Sequence, residues 1–412
     1  MFIKNTIFLN KKSVAYASSL ILSLFFIYLS FNRDYWNFFF KFFFVPVAFP
    51  PFSDFDALVR FLKCFNSDLI NNYCPEVIDG TSGYYDYPET WLHIFKYLNL
   101  SNYYYFNITV FIILFFYFTA LFYLSNFFIN YKNKLIFLLT LISTSNLLLI
   151  ERLNVDIVIF LLLFCLILNI NIITKFFIFF LSILLKIYPI FSILVFLNKK
   201  KDFFVALIFS FLAIYILKES VIKINDILLE FGTTFAYGSR SISKAFYFLL
   251  SKHFDYFITP NNYKILRYFL EIFFLALVCA IIIFGFISKN NKRYSIKGKI
   301  NEEIYKFYIL GSSIYIFTFV FGSNADYRLV FLFLTLPYIL KWYNFRYKVF
   351  FLISLLVSLN SFVFTVSEKF SLLYIINGSM VYLCKLILLI VLSYTLGSTL
   401  KSYLFKLKYV NL

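Results

Sequence analysis

Residue types that many soluble enzymes use for chemistry are scarce in this chain of 412 residues. It has two histidines, its five cysteines lack the spacing of a zinc site, and its ten glycines form no phosphate-binding loop. These absences argue against zinc catalysis and nucleotide hydrolysis. Charged residues make up only 14% of the chain, whereas 62% of its residues are apolar and 24% are aromatic, which excludes a soluble globular domain.

Long apolar segments, such as residues 103–129 and 265–287, can cross a hydrocarbon core about 30 Å thick. Between residues 175 and 198 the apolar stretch is interrupted by Lys186 and Pro189, which predicts two short half-spans that meet at a bend. We predict an all-α polytopic membrane protein. It forms a single integral membrane domain over residues 1–412, a bundle of about 10 to 13 transmembrane helices.

The charge distribution predicts the orientation, because basic residues near the ends of spans are retained in the cytoplasm. With both termini cytoplasmic, 21 basic residues lie inside, 16 lie outside and one lies within a span, which accounts for all 38. Of the 20 acidic residues, 17 lie outside. The net charge of +18 is therefore a topogenic signal that also contacts anionic membrane lipid, and it does not indicate nucleic-acid binding. We predict a plasma (inner) membrane protein with an extracytoplasmic active site.

The first outer loop, residues 32–102, contains a helical pattern that begins at Asp54. Ser53 is a suitable N-cap, Asp56 three residues later forms a capping box, and Asp56 can also pair with Arg60. Asp54 has no such explanation and is the stronger candidate for chemistry. Apolar residues at three- and four-residue spacing predict a helix that lies in the membrane interface; they are Phe55, Leu58, Val59, Leu62, Phe65 and Leu69.

The same loop continues into an aromatic turn that contains Asp86, Tyr87, Glu89 and Trp91. Such clusters are typical of an interfacial aromatic belt. They are also typical of a sugar-binding cleft, where flat rings pack on sugar faces and carboxylates accept hydrogen bonds from hydroxyls. Both interpretations stay open for this turn.

Three short outer turns carry further ionisable groups, which are costly at the ends of apolar helices unless they are paired or line a water-filled cavity. Because all of these turns fall on one face, we expect them to converge. Their candidate residues are Arg152, Asn154, Asp156, Lys186, Tyr188, Asp326, Tyr327 and Arg328. The second long outer loop, residues 218–264, contains Arg240 and two glycines, and it is either a lid over the site or an inert loop.

Five motifs occur along the chain in the order Ser53-Asp54-x-x-Ala57, Tyr85-x-Tyr87-Pro88, Asn154-x-Asp156, Leu185-Lys186-x-Tyr188-Pro189 and Asp326-Tyr327-Arg328-Leu329. In this order they resemble glycosyltransferase family 87, whose members are C-type (GT-C) membrane enzymes similar to polyprenyl-phosphate-mannose-dependent α-mannosyltransferases. The likeness spans residues 14–343, and Glu89 stands where the family has a second proline.

The resemblance implies a polyprenyl-phosphate sugar donor, carrying mannose or a similar hexose or pentose, and a glycolipid or glycan acceptor. It implies that Asp54 is the general base, with Asp56 as the alternative. The residue types suit an inverting transfer, which needs one carboxylate to take the acceptor proton and cations to hold the departing phosphate. The candidate cations are Arg328, Lys186, Arg152 and Arg240. The candidate substrate contacts are Asp86, Tyr87, Glu89, Trp91, Asn154, Asp156, Tyr188, Asp326 and Tyr327.

We predict no cofactor and no resident metal, with a divalent cation between Asp54 and Asp156 as the alternative. Two other protein classes remain open. An O-antigen-type polymerase or ligase should depend on outer-loop arginines and a larger late loop. A transporter should show internal repeats and several charges near the middle of its spans, whereas Lys385 is the one charge deep in a span.

Overall fold

The computed structural model describes residues 2–66, 87–128, 130–168, 170–227, 236–244, 260–288, 301–322, 324–364 and 372–410. Asp86 and residues 228–235 and 245–259 of the predicted lid lie outside the described residues.

Within these ranges the chain is built of helices joined by short turns. The first half contains α1 (Phe2–Ser30), α2 (Arg33–Phe42), α3 (Ser53–Asn66), α4 (Thr90–Tyr97), α5 (Tyr103–Ser125), α6 (Tyr131–Leu141), α7 (Thr144–Arg152), α8 (Asp156–Ile167) and α9 (Ile172–Leu185). A 3-10 helix (Tyr188–Asn198) then leads into α10 (Lys200–Ile227), β1 (Ala236–Tyr237), α11 (Pro260–Ile287), α12 (Glu302–Phe321), β2 (Asn324–Ala325), a second 3-10 helix (Asp326–Thr335), α13 (Leu336–Ile339), α14 (Phe345–Leu359), α15 (Ser361–Phe364) and α16 (Leu372–Val410).

The prediction of an all-α polytopic membrane protein is confirmed. Five described segments are long and apolar enough to cross a membrane: Ser13–Ser30, Tyr103–Ser125, Tyr263–Ile287, Glu302–Phe321 and Ile376–Leu404. The pair α6 and α7, bent by 47°, makes a sixth candidate. This number is smaller than the predicted 10 to 13. Helices α8 and α9 are apolar but shorter than a candidate span, whereas the hydropathy of the sequence joins such helices to the turns beside them. The larger number therefore stays a prediction.

Helix α12 lies at the centre of the bundle. In its candidate span 78% of the residues are buried, compared with 17% in the span of α11. Its closest neighbours include both 3-10 helices. Gly311 permits this approach, because a Cβ at that position would lie 2.6 Å from the carbonyl oxygen of Phe331. The second 3-10 helix, which carries Tyr327 and Arg328, is thus packed against the most buried span.

The described part of the apolar stripe of α3 is covered by protein, whereas Leu69 and the side chain of Phe65 lie outside what the structure describes. Phe55, Leu58 and Leu62 are at most 2% exposed, and the Phe55 ring lies 4.9 Å from the ring of Phe95 in α4. The predicted start differs by one residue, because the Phe52 carbonyl accepts from the Asp56 N–H at 2.9 Å and so takes the N-cap position. This packing fixes the first turn of α3, where Asp54 lies.

Glycines bring α11 and α16 into close contact. A Cβ on Gly397 would lie 2.0 Å from the carbonyl oxygen of Ile282, and one on Gly285 would lie 2.1 Å from that of Tyr394. Small residues at a crossing of two spans let the backbones approach, which is how membrane helices gain van der Waals contact.

Replacing Gly397 with Ala should therefore push these two helices apart and lower the free energy of unfolding by roughly 1–3 kcal/mol. Thermal unfolding of the protein in detergent measures the effect. Gly378 is the matched control on the same helix, because a Cβ there meets no atom within 4 Å. Gly378→Ala should leave the midpoint unchanged or raise it slightly. Equal midpoints for the two variants would contradict the close crossing.

Candidate functional site

The structure brings together side chains from five separate segments of the chain. The segments are the start of α3, the turn before α4, the turn between α7 and α8, the turn after α9 and the start of the second 3-10 helix. All of them lie at helix ends, so the cluster occupies one end of the bundle. Its members are Asp54, Tyr87, Asn154, Asp156, Lys186, Tyr188, Tyr327 and Arg328, and each of them was a candidate from sequence.

Asp156 is the centre of this cluster. Its Oδ1 accepts from Lys186 Nζ at 2.6 Å and from the Tyr188 hydroxyl at 2.8 Å, and its Oδ2 accepts from Arg328 Nε at 2.9 Å. Asp156 begins α8 and is fully buried, and a helix N-terminus favours a carboxylate. One buried acid thus holds two cations, which leaves a net positive charge on the three groups. Lys186 and Arg328 keep 12% and 18% of their side chains exposed.

Asn154 connects Asp156 to Asp54. Its Nδ2 lies 2.6 Å from Asp54 Oδ2, 3.2 Å from the Tyr87 hydroxyl and 3.1 Å from the Tyr327 hydroxyl. The two N–H groups of one amide cannot serve three oxygens at once, so these acceptors share them. The Asn154 Oδ1 accepts from the Asp156 N–H at 3.0 Å. The side chain therefore links the turn, α3 and the second 3-10 helix.

The turn that presents Asn154 depends on a left-handed residue. Leu153, which ends α7, has φ 43° and ψ 47°. A residue in this region commonly ends a helix and reverses the chain, although glycine is the usual choice. Asn154 and Asp156 consequently lie at the end of α7 and the start of α8, facing the same cluster.

Asp54 is the partly exposed acid of the site. One quarter of its side chain is exposed, Oδ2 accepts from Asn154, and Arg152 Nη1 lies 3.7 Å from Oδ1. Burial raises the pKa of this carboxyl, and the nearby Arg152 and the Asn154 hydrogen bond oppose the increase. Asp54 is thus a carboxylate with increased proton affinity that small molecules can reach, as a general base requires.

Glu151 is a site residue that the sequence analysis did not select. It is fully buried, its Oε1 accepts from the Ala48 N–H at 2.9 Å, and its carbonyl accepts from the Phe52 N–H at 3.0 Å. Its Oε2 lies 2.9 Å from Arg152 Nε. These contacts hold the loop that leads into α3 and orient Arg152 beside Asp54. A buried acid in an apolar segment was the signal that could have identified it.

The two central cations are oriented by aromatic rings. Arg328 Cζ lies 5.1 Å from the ring centroid of Tyr188, and Lys186 Nζ lies 5.2 Å from that of Tyr87. Arg328 Nη1 donates to the Asn324 side-chain oxygen. Within the described residues, no protein group accepts from Arg328 Nη2. The guanidinium is thus held through Nε and Nη1.

The charged side chains of two candidates from sequence pair with residues that are not members of the cluster. Asp326 is fully buried, accepts from Lys385 Nζ at 2.7 Å and also accepts from the Ser361 hydroxyl. Arg240 Nε donates to Glu271 Oε1 at 2.6 Å, and Arg267 Nε lies 3.1 Å from the same oxygen. Neither the predicted substrate contact of Asp326 nor the predicted phosphate contact of Arg240 is supported by this geometry.

Trp91, Asp56 and Glu89 are three further candidates with different surroundings. Trp91 is buried and its indole N–H donates to the Leu185 carbonyl at 2.9 Å, so it positions the residue before Lys186 instead of offering a face to a sugar. Asp56 pairs with Arg60 at 2.7 Å, as the spacing predicts. Glu89 is exposed at the start of α4.

The alternative of a divalent cation between Asp54 and Asp156 stays a prediction, and at Asp156 the ion would compete with cationic side chains. Both of its oxygens already accept from Lys186, Tyr188 and Arg328, so a metal ion would have to displace cationic side chains. Within the described ranges, no three His, Cys, Asp or Glu side chains group as a metal site.

No family model, no curated protein and no solved structure matches the chain. The protein is therefore characterised by its fold and its candidate site alone. It is an all-α polytopic membrane protein in which one buried acid, two cations and a partly exposed acid meet at one end of the bundle.

Proposed function

We propose that this protein is an inverting membrane glycosyltransferase. It transfers a sugar, mannose or a similar hexose or pentose, from a polyprenyl-phosphate donor to a hydroxyl of a glycolipid or glycan acceptor. The observation that carries the proposal is the Asn154 side chain, which bonds Asp54 and lies 3.5 Å from Lys186 Nζ. A base and the cations of a phosphate site are thereby held in one network. The resemblance to glycosyltransferase family 87 supports the same reaction.

The chemistry follows from these positions. Asp54 takes the proton of the acceptor hydroxyl as that oxygen attacks the anomeric carbon. The bond between the anomeric carbon and the phosphate oxygen breaks, and polyprenyl phosphate leaves as an anion. Lys186 and Arg328 stabilise the charge that develops on the phosphate. No second carboxylic acid is needed, because a phosphate leaves without being protonated.

The location of the cluster suits a lipid-linked donor. The cluster lies where α9 and α12 end and where α8 begins, and these helices are apolar. A donor whose polyprenyl chain stays in the bilayer would present its phosphate and sugar at such helix ends. The charge distribution of the sequence supports the extracytoplasmic side for this end of the bundle.

Purified protein in lipid nanodiscs tests the proposal. It is incubated with a panel of polyprenyl-monophosphate sugars and labelled acceptors, and with the corresponding diphosphate donors. We expect polyprenyl phosphate to be released with a monophosphate donor and the product to have the opposite anomeric configuration. Turnover with diphosphate donors alone would favour the polymerase or ligase class. Absence of turnover with every donor would overturn the proposal.

The pH dependence of kcat/KM provides a further prediction. Asp54 must be deprotonated to act as a base, so activity should rise with pH through a pKa above the ordinary value of about 3.9 for Asp. Replacing Arg152 with Gln removes a positive charge that favours the carboxylate, so the pKa of Asp54 should rise further. The acidic limb of the plot of kcat/KM against pH should then move to higher pH.

Arg60→Gln is the control for this shift, because Arg60 pairs with Asp56 on the same helix. Its acidic limb should coincide with that of the wild type. A limb that moves to lower pH in Arg152→Gln, or that does not move, would contradict the role of Asp54.

A further inference from the structure

A buried ion pair lies beside the site, inside the C-terminal span. Lys385 is in α16, whose apolar part covers Ile376–Leu404, and it is 2% exposed. Its Nζ donates to Asp326 Oδ1 at 2.7 Å, and the Ser361 hydroxyl donates to the other carboxylate oxygen. Charges within spans are rare, and they are commonly paired and functional. None of the roles proposed above uses this pair.

The pair is attached to the segment that carries the phosphate-binding arginine. Asp326 is the first residue of the second 3-10 helix, and Tyr327 and Arg328 follow it directly. A 3-10 helix has three residues per turn, so three successive side chains point in three different directions. Holding Asp326 on α16 therefore fixes the rotation of this segment. The same rotation sets where Tyr327 meets Asn154 and where Arg328 meets Asp156.

Helix α16 also holds the backbone that precedes this segment. The Tyr382 hydroxyl donates to the Ala236 carbonyl at 3.2 Å, and Ala236 pairs with Ala325 in the two-stranded ribbon. In addition, the Tyr315 hydroxyl of α12 donates to the Lys385 carbonyl at 2.7 Å. One turn of α16 thus contacts β1 through Tyr382 and the residue after β2 through Lys385.

Stability alone does not account for a charged pair at this place. Buried ion pairs lose most of their attraction to the cost of desolvation, and apolar residues of similar volume are often as stable. A paired Lys and Asp do, however, restrict the direction of both side chains. The ion pair therefore contributes to the placement of the second 3-10 helix, which begins at Asp326, in addition to packing.

We propose that Lys385 is a positioning residue for donor binding, because its ion pair with Asp326 orients Tyr327 and Arg328 toward the Asn154 and Asp156 side chains. The inference rests on the proposed function for its effect on the donor. The anchoring of the segment by α16 stands on geometry and can be tested separately.

The test uses the full-length protein and the double variant Asp326→Leu/Lys385→Met, which leaves no unpaired buried charge and should fold. The single variant Lys385→Met leaves Asp326 without its cation and can fail to fold for that reason. Hydrogen exchange of residues 324–335 should be faster in the double variant, whereas exchange of residues 156–167 should be unchanged. The donor KM should rise about tenfold or more, because a small displacement of a positioned group is costly.

Three comparisons separate positioning from general damage. The acidic limb of kcat/KM should not move, because Asp54 is held by Asn154 and Arg152. Lys385→Arg keeps the charge and should retain a donor KM near that of the wild type. Lys401→Met is the matched control on α16, where Lys401 Nζ donates to the Ile287 and Ser288 carbonyls, and it should change neither measurement.

Unchanged exchange of residues 324–335 in the double variant would overturn the inference. An unchanged donor KM would overturn it as well. If the wild type turns over no donor but the exchange of residues 324–335 increases as expected, the proposed function fails and the anchoring role of Lys385 stands.

Discussion

Asp54→Asn should lower kcat by about 10²- to 10⁴-fold, the usual contribution of a general base. The donor KM should stay near the wild-type value, because the amide oxygen of Asn can still accept from Asn154, which lies 2.6 Å from Asp54 Oδ2. Release of polyprenyl phosphate by the purified protein in lipid measures both constants. A loss of kcat without a change in KM is the signature of an interaction made only in the transition state.

Asp56→Asn is the matched control for this prediction. Asp56 lies two residues further along α3 and pairs with Arg60, and both side chains are about one quarter to one third exposed, at 26% and 31%. An exposed pair of this kind contributes about 0.3–0.5 kcal/mol. The control should therefore keep almost full turnover. Full activity of Asp54→Asn together with a loss in Asp56→Asn would transfer the role of base to Asp56.

Asp156→Asn should have the largest effect on stability. It leaves Lys186 and Arg328 without the anion that lies 2.6 Å and 2.9 Å from their nitrogens. Removing one partner of a buried ion pair costs about 3–5 kcal/mol, because the remaining charge is no longer compensated. The thermal midpoint in detergent should fall accordingly. Added polyprenyl phosphate should restore more stability to this variant than to the wild type, since two uncompensated cations attract an anion.

Glu271→Gln tests whether that response is specific. Glu271 also contacts two cations, Arg240 and Arg267, but it lies outside the cluster and is 14% exposed. This variant should lose less stability, and polyprenyl phosphate should stabilise it no more than it stabilises the wild type. A similar response of both variants to the lipid would contradict a phosphate site at Lys186 and Arg328.

Local sequence patterns predicted much of the site. The apolar stripe predicted a helix from Asp54 with Ser53 as its N-cap, and α3 begins one residue earlier, at Ser53. Lys186 and Pro189 predicted a bend, and α9 ends at Leu185 before the 3-10 helix begins at Tyr188. Helix ends follow from such local signals. Because the charges place those ends on one face, convergence of the cluster could be inferred before any contact was known.

The pairing of charges could not be predicted in the same way. Asp156 and Arg328 are 172 residues apart, and Asp326 and Lys385 are 59 residues apart. Which cation meets which acid depends on how α8, α12 and α16 pack, and the sequence carries no local sign of that packing. The break that follows α14 inside an apolar stretch was not predicted, for a related reason. Helix α14 ends at Leu359, and the side chain of the next residue, Asn360, accepts from the Thr144 N–H of another helix.

The long separation between Asp156 and its two cations has a consequence for synthesis of the protein. The ribosome adds about 5–20 residues per second, so Lys186, 30 residues after Asp156, follows it within roughly 2 to 6 s. Arg328 follows only after roughly 10 to 30 s. During that interval the acid is inserted with Lys186 as its first available partner. A ribosome that stops before residue 300 would release a chain that holds Asp54, Asn154 and Asp156 but neither Arg328 nor α16. Such a nascent chain would hold the proposed base but only one of the two proposed phosphate-binding cations, so the cluster is complete only after Arg328 has been added.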